Sequence, residues 1–107
     1  MGISFKEDCP DIRNSKVFDM ILELNKNKCN VDVFDPVVNS KTFHHDFKFA
    51  FYQKNPPSRK YDAIIIAVSH SEFKKLSIEQ IRSFAKNKNI IYDVKYLLKQ
   101  DQVDGRL

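Results

Sequence analysis

Residues 61–69 read YDAIIIAVS. From Ala63 to Val68 this run is unbroken, apolar and mostly β-branched, the composition of a strand covered on both faces and therefore of a parallel sheet. Downstream, Ser71-Glu72-Phe73 opens a short helical turn. Ser77-x-x-Gln80 then forms a capping box, with Ile78, Ile81, Phe84 and Ala85 along one side of a main helix. Residues 86–89 are expected to close that helix, and 89–94 reads as another strand. Upstream, residues 31–34 alternate as a strand that Asp35-Pro36 stops. Before it, Val17, Met20, Ile21 and Leu24 fall at i, i+3, i+4 and i+7, with Lys16, Asp19, Glu23 and Lys26 on the other faces. That spacing predicts an amphipathic helix, with Asn14 or Ser15 as its N-cap, ending in the polar stretch 25–30. The pattern weakens from 37 to 60. Within it, residues 44–52 place Phe47, Phe49 and Phe51 on one face, as a short strand or edge ribbon would, and Pro56, Pro57 and Ser58 form a loop. Alternating strands and helices imply a parallel sheet with helices on its faces.

The stretch 5–16, FKEDCPDIRNSK, holds six charged side chains in twelve residues. It follows the short apolar run 1–5 and precedes the first helix, so it is a loop between a strand and a helix. In an open α/β sheet such loops form the ligand crevice, and the helix start beyond them favours an anion. Lys6 and Arg13 add charge there.

Composition bounds what that ligand can be. The chain has 107 residues, 42% of them hydrophobic, which is one domain with one core. A net charge of +4 fits an anionic partner, but the charges are interspersed and form no basic stripe, so nucleic acid is not expected. Cys9 and Cys29, twenty residues apart, give neither a metal spacing nor a disulfide framework. The longest apolar run is far below the roughly 20 residues that span a bilayer, and no signal-peptide pattern is present, so the expected location is the cytoplasm. Only Gly2 and Gly105 are glycines. A Gly-x-Gly-x-x-Gly turn is therefore missing, and with it the usual grip on a dinucleotide pyrophosphate.

FKEDCPDIRNSK resembles the motif that opens the C-terminal, UDP-binding domain of the UDP-glucose/GDP-mannose dehydrogenase family, especially its UDP-N-acetylhexosamine branch. VDVFDP at 31–36, YDAIIIAVSHSEF at 61–73 and IIYDVKYLL at 90–98, closing in DGRL at 104–107, follow in that domain's order. The resemblance implies a Rossmann-like three-layer sandwich: a small, mainly parallel sheet of order 2-1-3-4 with helices on both faces, its first strand begun upstream of Met1. Residues 1–107 would be the nucleotide-sugar-binding C-terminal domain of a larger enzyme. The parent it implies oxidises the C6 hydroxyl of a UDP-sugar to a carboxylate with NAD, supplying a uronic acid for surface polysaccharide, and is a homodimer. NAD would be bound mainly by the N-terminal domain, and the chain alone would be inactive. The carboxyl edge of the sheet would carry Phe5, Lys6, Ser69, His70, Asp93 and Lys95.

On the same resemblance Phe5, Lys6 and Lys95 bind the nucleotide-sugar, and Arg13 of Asp11-Ile12-Arg13 reaches NAD across the interdomain cleft. Each has a plainer alternative. Lys6 and Lys95 could be solvated loop lysines, and Lys95 stands where relatives often have a bidentate arginine. Arg13 could simply pair with Asp11 or Asp8. Asp93 reads as structural, bonding the strand-end backbone, and His70 as a loop-packing residue or a contact to ligand or a neighbouring domain. His44, His45 and His70 lack metal-ligand spacing, and no metal is expected. Cys9 does not inherit the family's nucleophilic cysteine, which belongs to a Gly-rich segment of the preceding part, so no catalytic residue is assigned. Two other classes compete: a free-standing nucleotide-binding or protein-interaction module without catalysis, and a flavodoxin-like receiver whose phosphorylatable aspartate would be Asp35.

Overall fold

A computed structural model of the chain describes residues 1–43 and 49–106. The expected readings of His44, His45 and Phe47 fall outside them. In chain order the elements are α1 (Val17–Lys26), β1 (Asp32–Phe34), a 3₁₀ turn (Ser40–Thr42), β2 (Ala50–Tyr52), β3 (Tyr61–Ile66), α2 (Ser71–Lys74), α3 (Ile78–Arg82), β4 (Ala85–Asp93), a second 3₁₀ turn (Gln100–Gln102) and β5 (Gly105–Arg106). The fold is mixed α/β, and every strand pair is parallel: β1 with β2, and β3-β4-β5.

Residues 1–5 are not a regular strand, yet their backbone bridges the two sheets. The Gly2 N–H donates to Phe34 O at 2.8 Å, the Met1 amine to Ile65 O at 2.6 Å, and the Ala67 N–H to Met1 O at 2.9 Å. Gly2 is required at that bridge. Its φ is +89°, and a Cβ there would lie 2.5 Å from Val68 Cβ, closer than packed carbons come.

Neighbouring residues of β1 point to opposite faces, as a pleat requires, and so enter two cores. Val33 packs with Ile3, Val38 and Ile21 of α1, backed by Phe43, Phe49 and Phe51. Phe34 packs with Ile64 and Ile66 of β3, Ile91 of β4, Phe73 of α2 and Ile81 of α3. Phe73, Ile66, Ile81 and Ile91 are completely buried. Burying a side chain of this size contributes about 1.5–3 kcal/mol, so these few residues carry much of the stability of so small a domain.

Two local expectations are corrected, and two others hold in the described residues. Helix α1 has Lys16 in the cap position with no cap from its own side chain; Ser15, one residue earlier and buried, accepts from Val17 N–H at 3.3 Å while its hydroxyl donates to Ile3 O at 2.7 Å. Helix α3 stops at Arg82, so residues 86–89 extend strand β4 rather than close a helix. That half of β4 is mostly exposed, which is why its Lys and Asn residues read as a helix end; it bulges between the Tyr61–Ala85 and Ala63–Ile90 pairs, where the register with β3 shifts. The aromatic stretch yields β2, three residues long, set on the edge of β1. The capping box at Ser77 and Gln80 forms in full, with Gln80 N–H on Ser77 Oγ at 3.1 Å and Ser77 N–H on Gln80 Oε1 at 2.8 Å.

Candidate functional site

Parallel strands send their carboxyl ends to one edge, and the backbone bonds fix which loops meet there. Segment 1–3 lies against Ile65 and Ala67, and Ile66 pairs with Asp93, whose neighbour Val94 donates to Ile66 O at 3.0 Å. Phe5 and Lys6, Ser69 and His70, and Lys95 therefore leave from the same edge. Lys6 and Lys95 are separated by about two strand spacings, ~10 Å of sheet.

The loop 5–13 is closed across its base, where the Phe5 N–H donates to Asp11 O at 2.8 Å. Inside it, the Cys9 N–H reaches back to Lys6 O at 3.4 Å, and Asp8 sits at φ +57°, a left-handed conformation that a non-glycine residue adopts only when held. What holds it is a buried polar hub. Asp35, Asp93, His70 and Ser4 are all essentially inaccessible. Asp35 Oδ2 accepts from Ile3 N–H at 2.8 Å, Ser4 N–H at 3.4 Å and His70 Nε2 at 2.9 Å; Oδ1 accepts from Val37 N–H at 2.9 Å and Val38 N–H at 3.2 Å. On the far side of the ring, the Asp8 N–H donates to His70 Nδ1 at 2.9 Å. A backbone N–H can only donate, so Nδ1 is the acceptor and the imidazole proton sits on Nε2, directed at Asp35. Ser4 Oγ, 3.3 Å from Nε2, gives its own proton to Lys6 O at 2.9 Å. Burial pushes the Asp35 carboxyl up, but the bonds from His70, Ile3 and Val37 outweigh it and leave it below the ordinary carboxylate value. The Asp8 carboxylate, lowered by the hydroxyl and N–H of Ser71, in turn ties the loop to the start of α2.

Of the expected site residues, Phe5 is 56% exposed, and Lys6, Arg13 and Lys95 are exposed. The ammonium groups of Lys6 and Lys95 have no ion-pair partner among the described residues. Arg13 is engaged: its Nε and Nη2 form a fork on Asp11 at 3.0 and 2.9 Å, which pulls the Asp11 carboxyl down to about 2 and raises the guanidinium. Asp93 caps the loop after β4, accepting from Lys95 N–H at 3.1 Å and Leu98 N–H at 2.8 Å. The phosphorylatable role considered for Asp35 does not fit a carboxylate that is wholly buried and five-fold hydrogen-bonded. Sequence reading missed the hub. Its only signal was a polar residue at or just past the end of each of three apolar segments, at Ser4, Asp35 and His70.

Among the described residues no cluster of three or more His, Cys, Asp or Glu side chains could hold a metal, and no helix is long and apolar enough to cross a membrane. A cavity of about 60 Å³ opens between β1, β2 and β3 and a groove of about 1380 Å³ between α1, β1 and β3, and neither is lined by Phe5, Lys6, Arg13 or Lys95. Phe5, Lys6, Arg13 and Lys95 thus lie on open surface.

Comparison with known proteins identifies the family. Residues 1–100 match the UDP binding domain of the UDP-glucose/GDP-mannose dehydrogenase family. The whole chain is 44% identical to the UDP-N-acetyl-D-glucosamine 6-dehydrogenase of Salmonella typhi and 46% identical to that of Pseudomonas aeruginosa, covering 25% of each. A UDP-N-acetyl-D-mannosamine dehydrogenase of Methanococcus aeolicus is 31% identical over 94% of the chain and 22% of its own length. The chain thus spans about a quarter of the length of these relatives. No solved structure gives a significant match. With the loop motif, the parallel strand ends and a family match over nearly its full length in agreement, the chain belongs to the UDP-glucose/GDP-mannose dehydrogenase family, as its UDP-binding domain.

Proposed function

We propose that this domain holds the UDP moiety of a nucleotide-sugar for an NAD-dependent 6-dehydrogenase acting on UDP-N-acetylglucosamine, which turns the sugar C6 hydroxyl into a carboxylate. The observation that carries this reading is the convergence of Lys6 and Lys95 on one sheet edge, exposed and without an ion-pair partner among the described residues, within a family known for UDP binding. A lysine ammonium suits a flexible diphosphate, and the exposed Phe5 ring offers the loop a surface for the nucleotide-sugar. The finer architecture, one sheet of order 2-1-3-4 between helical layers, is supported by the bonds from Met1 and Gly2 to β3 and β1 and by the two cores on either side of β1.

NAD fits this chain only at its margin. The first loop has no glycine, and its turn is made by Asp8 instead, so it has no cradle for a pyrophosphate. Arg13, at the exposed end of the loop, is the one contact proposed for NAD, oriented by Asp11. The dinucleotide site, the cysteine nucleophile and the dimer contacts are assigned to the remaining parts of a parent enzyme, and this chain alone has no turnover. Calorimetric titration separates the readings. Expected are saturable binding of UDP and UDP-N-acetylglucosamine and no binding of NAD; absence of UDP binding would overturn the proposal.

A further inference from the structure

We infer that His70 is a positioning residue for the nucleotide site, setting the conformation of the loop 5–13 without touching the ligand. The inference rests on the UDP-binding reading of that loop. The imidazole is wholly buried, and its two nitrogens do different work. Nε2 donates to Asp35, the carboxylate that gathers the ends of segment 1–4 and β1. Nδ1 accepts the N–H of Asp8, the residue whose left-handed backbone makes the Lys6–Cys9 turn. Without an acceptor there, Asp8 loses the bond that offsets its unfavourable conformation, and the turn that starts at Lys6 loosens. Ser4 links the ring to the same turn, since its hydroxyl lies on Nε2 and donates to Lys6 O. His70 therefore couples the fold's internal clamp to the direction in which Lys6 and Phe5 face.

The two nitrogens can be separated by substitution. His70→Gln keeps a donor near the Nε2 position and removes the acceptor at Nδ1; His70→Asn keeps an acceptor near Nδ1 and abandons Asp35. A merely structural histidine would make UDP affinity follow stability. A positioning histidine splits them. His70→Gln is expected to melt near the wild-type temperature, bind UDP about three- to tenfold more weakly, the range one hydrogen bond's loss allows, and shift the Asp8 amide resonance upfield. His70→Asn is expected to melt lower yet, where folded, bind UDP close to wild type with the Asp8 amide in place. Affinity that tracks melting temperature across both variants, or a His70→Gln protein with unchanged UDP affinity and Asp8 amide, overturns the inference. If the wild-type chain binds no UDP, the functional reading fails instead. Amide exchange across 5–13 then decides the positioning role: faster exchange in His70→Gln than in His70→Asn supports it, and equal protection overturns it.

Discussion

Replacing Asp35 by Asn removes one negative charge from the centre of the molecule while changing its shape hardly at all. In the native protein the carboxylate accepts five hydrogen bonds, three on Oδ2 and two on Oδ1. An amide can accept on one side only. Turned either way, its NH₂ faces at least two backbone N–H groups, and those buried donors are left without partners. Each orphaned donor costs about 1–3 kcal/mol, more where the lost acceptor was charged, so the two together are expected to make Asp35→Asn cost about 3–5 kcal/mol. For a domain of this size that lowers the melting temperature by roughly 15–30 °C. The pH dependence has a definite sign. The folded-state pKa of Asp35 lies below the ordinary aspartate value of 3.8, so its stabilisation is fully present above that value and is lost as pH falls from there through the folded-state pKa. Urea melts followed by circular dichroism from pH 7 to pH 3 should show a gap between wild type and variant that is constant above about pH 5 and narrows in the acid range. A variant within 1 kcal/mol of wild type at pH 7, or a gap that stays constant to pH 3, would refute the assignment of Asp35 as an ionised clamp.

Lys6→Ala is expected to weaken UDP binding about tenfold or more, the size of one charge-assisted hydrogen bond, with an unchanged melting temperature. Arg13→Ala should leave both melting temperature and UDP affinity at wild-type values, because the Arg13–Asp11 pair is solvent-exposed; its effect should appear as a raised KM for NAD when the domain is part of a whole dehydrogenase. Gly2→Ala forces a Cβ against Val68 at a φ of +89° and is expected to destabilise by about 2–4 kcal/mol in urea melts. Phe73→Ala empties a fully buried aromatic site against Phe34 and His70 and should cost about 3–5 kcal/mol.

Much of the scaffold was legible because its signals are local. The apolar run of β3 announced a buried parallel strand, and Ser77 with Gln80 announced a capping box, since both depend on residues close in sequence. Where tertiary contacts decide, reading failed. Ser15 is a good cap by type and its Oγ accepts from Val17 N–H, but its burial and its bond to Ile3 O move the cap position itself to Lys16. Residues 86–89 have a helix-ending composition, yet β4 runs through them as a bulge where its register with β3 shifts. The candidate site divides the same way. Its charged loop was visible as twelve residues of unusual composition, and the roles of Lys6, Arg13 and Lys95 came from family likeness. The Ser4–Asp35–His70 hub was invisible, because no periodicity links side chains that lie 31 to 66 positions apart in the chain.

The central claim is that UDP sits on the rim formed by the first loop and the end of β4. Titrating the isotope-labelled chain with UDP and following its amide resonances tests that claim most directly. Saturable shifts confined to residues 5–13, 69–71 and 94–98 are predicted, with α3 and β2 unmoved. No shift at saturating nucleotide, or shifts centred on the groove between α1 and β3, would contradict it.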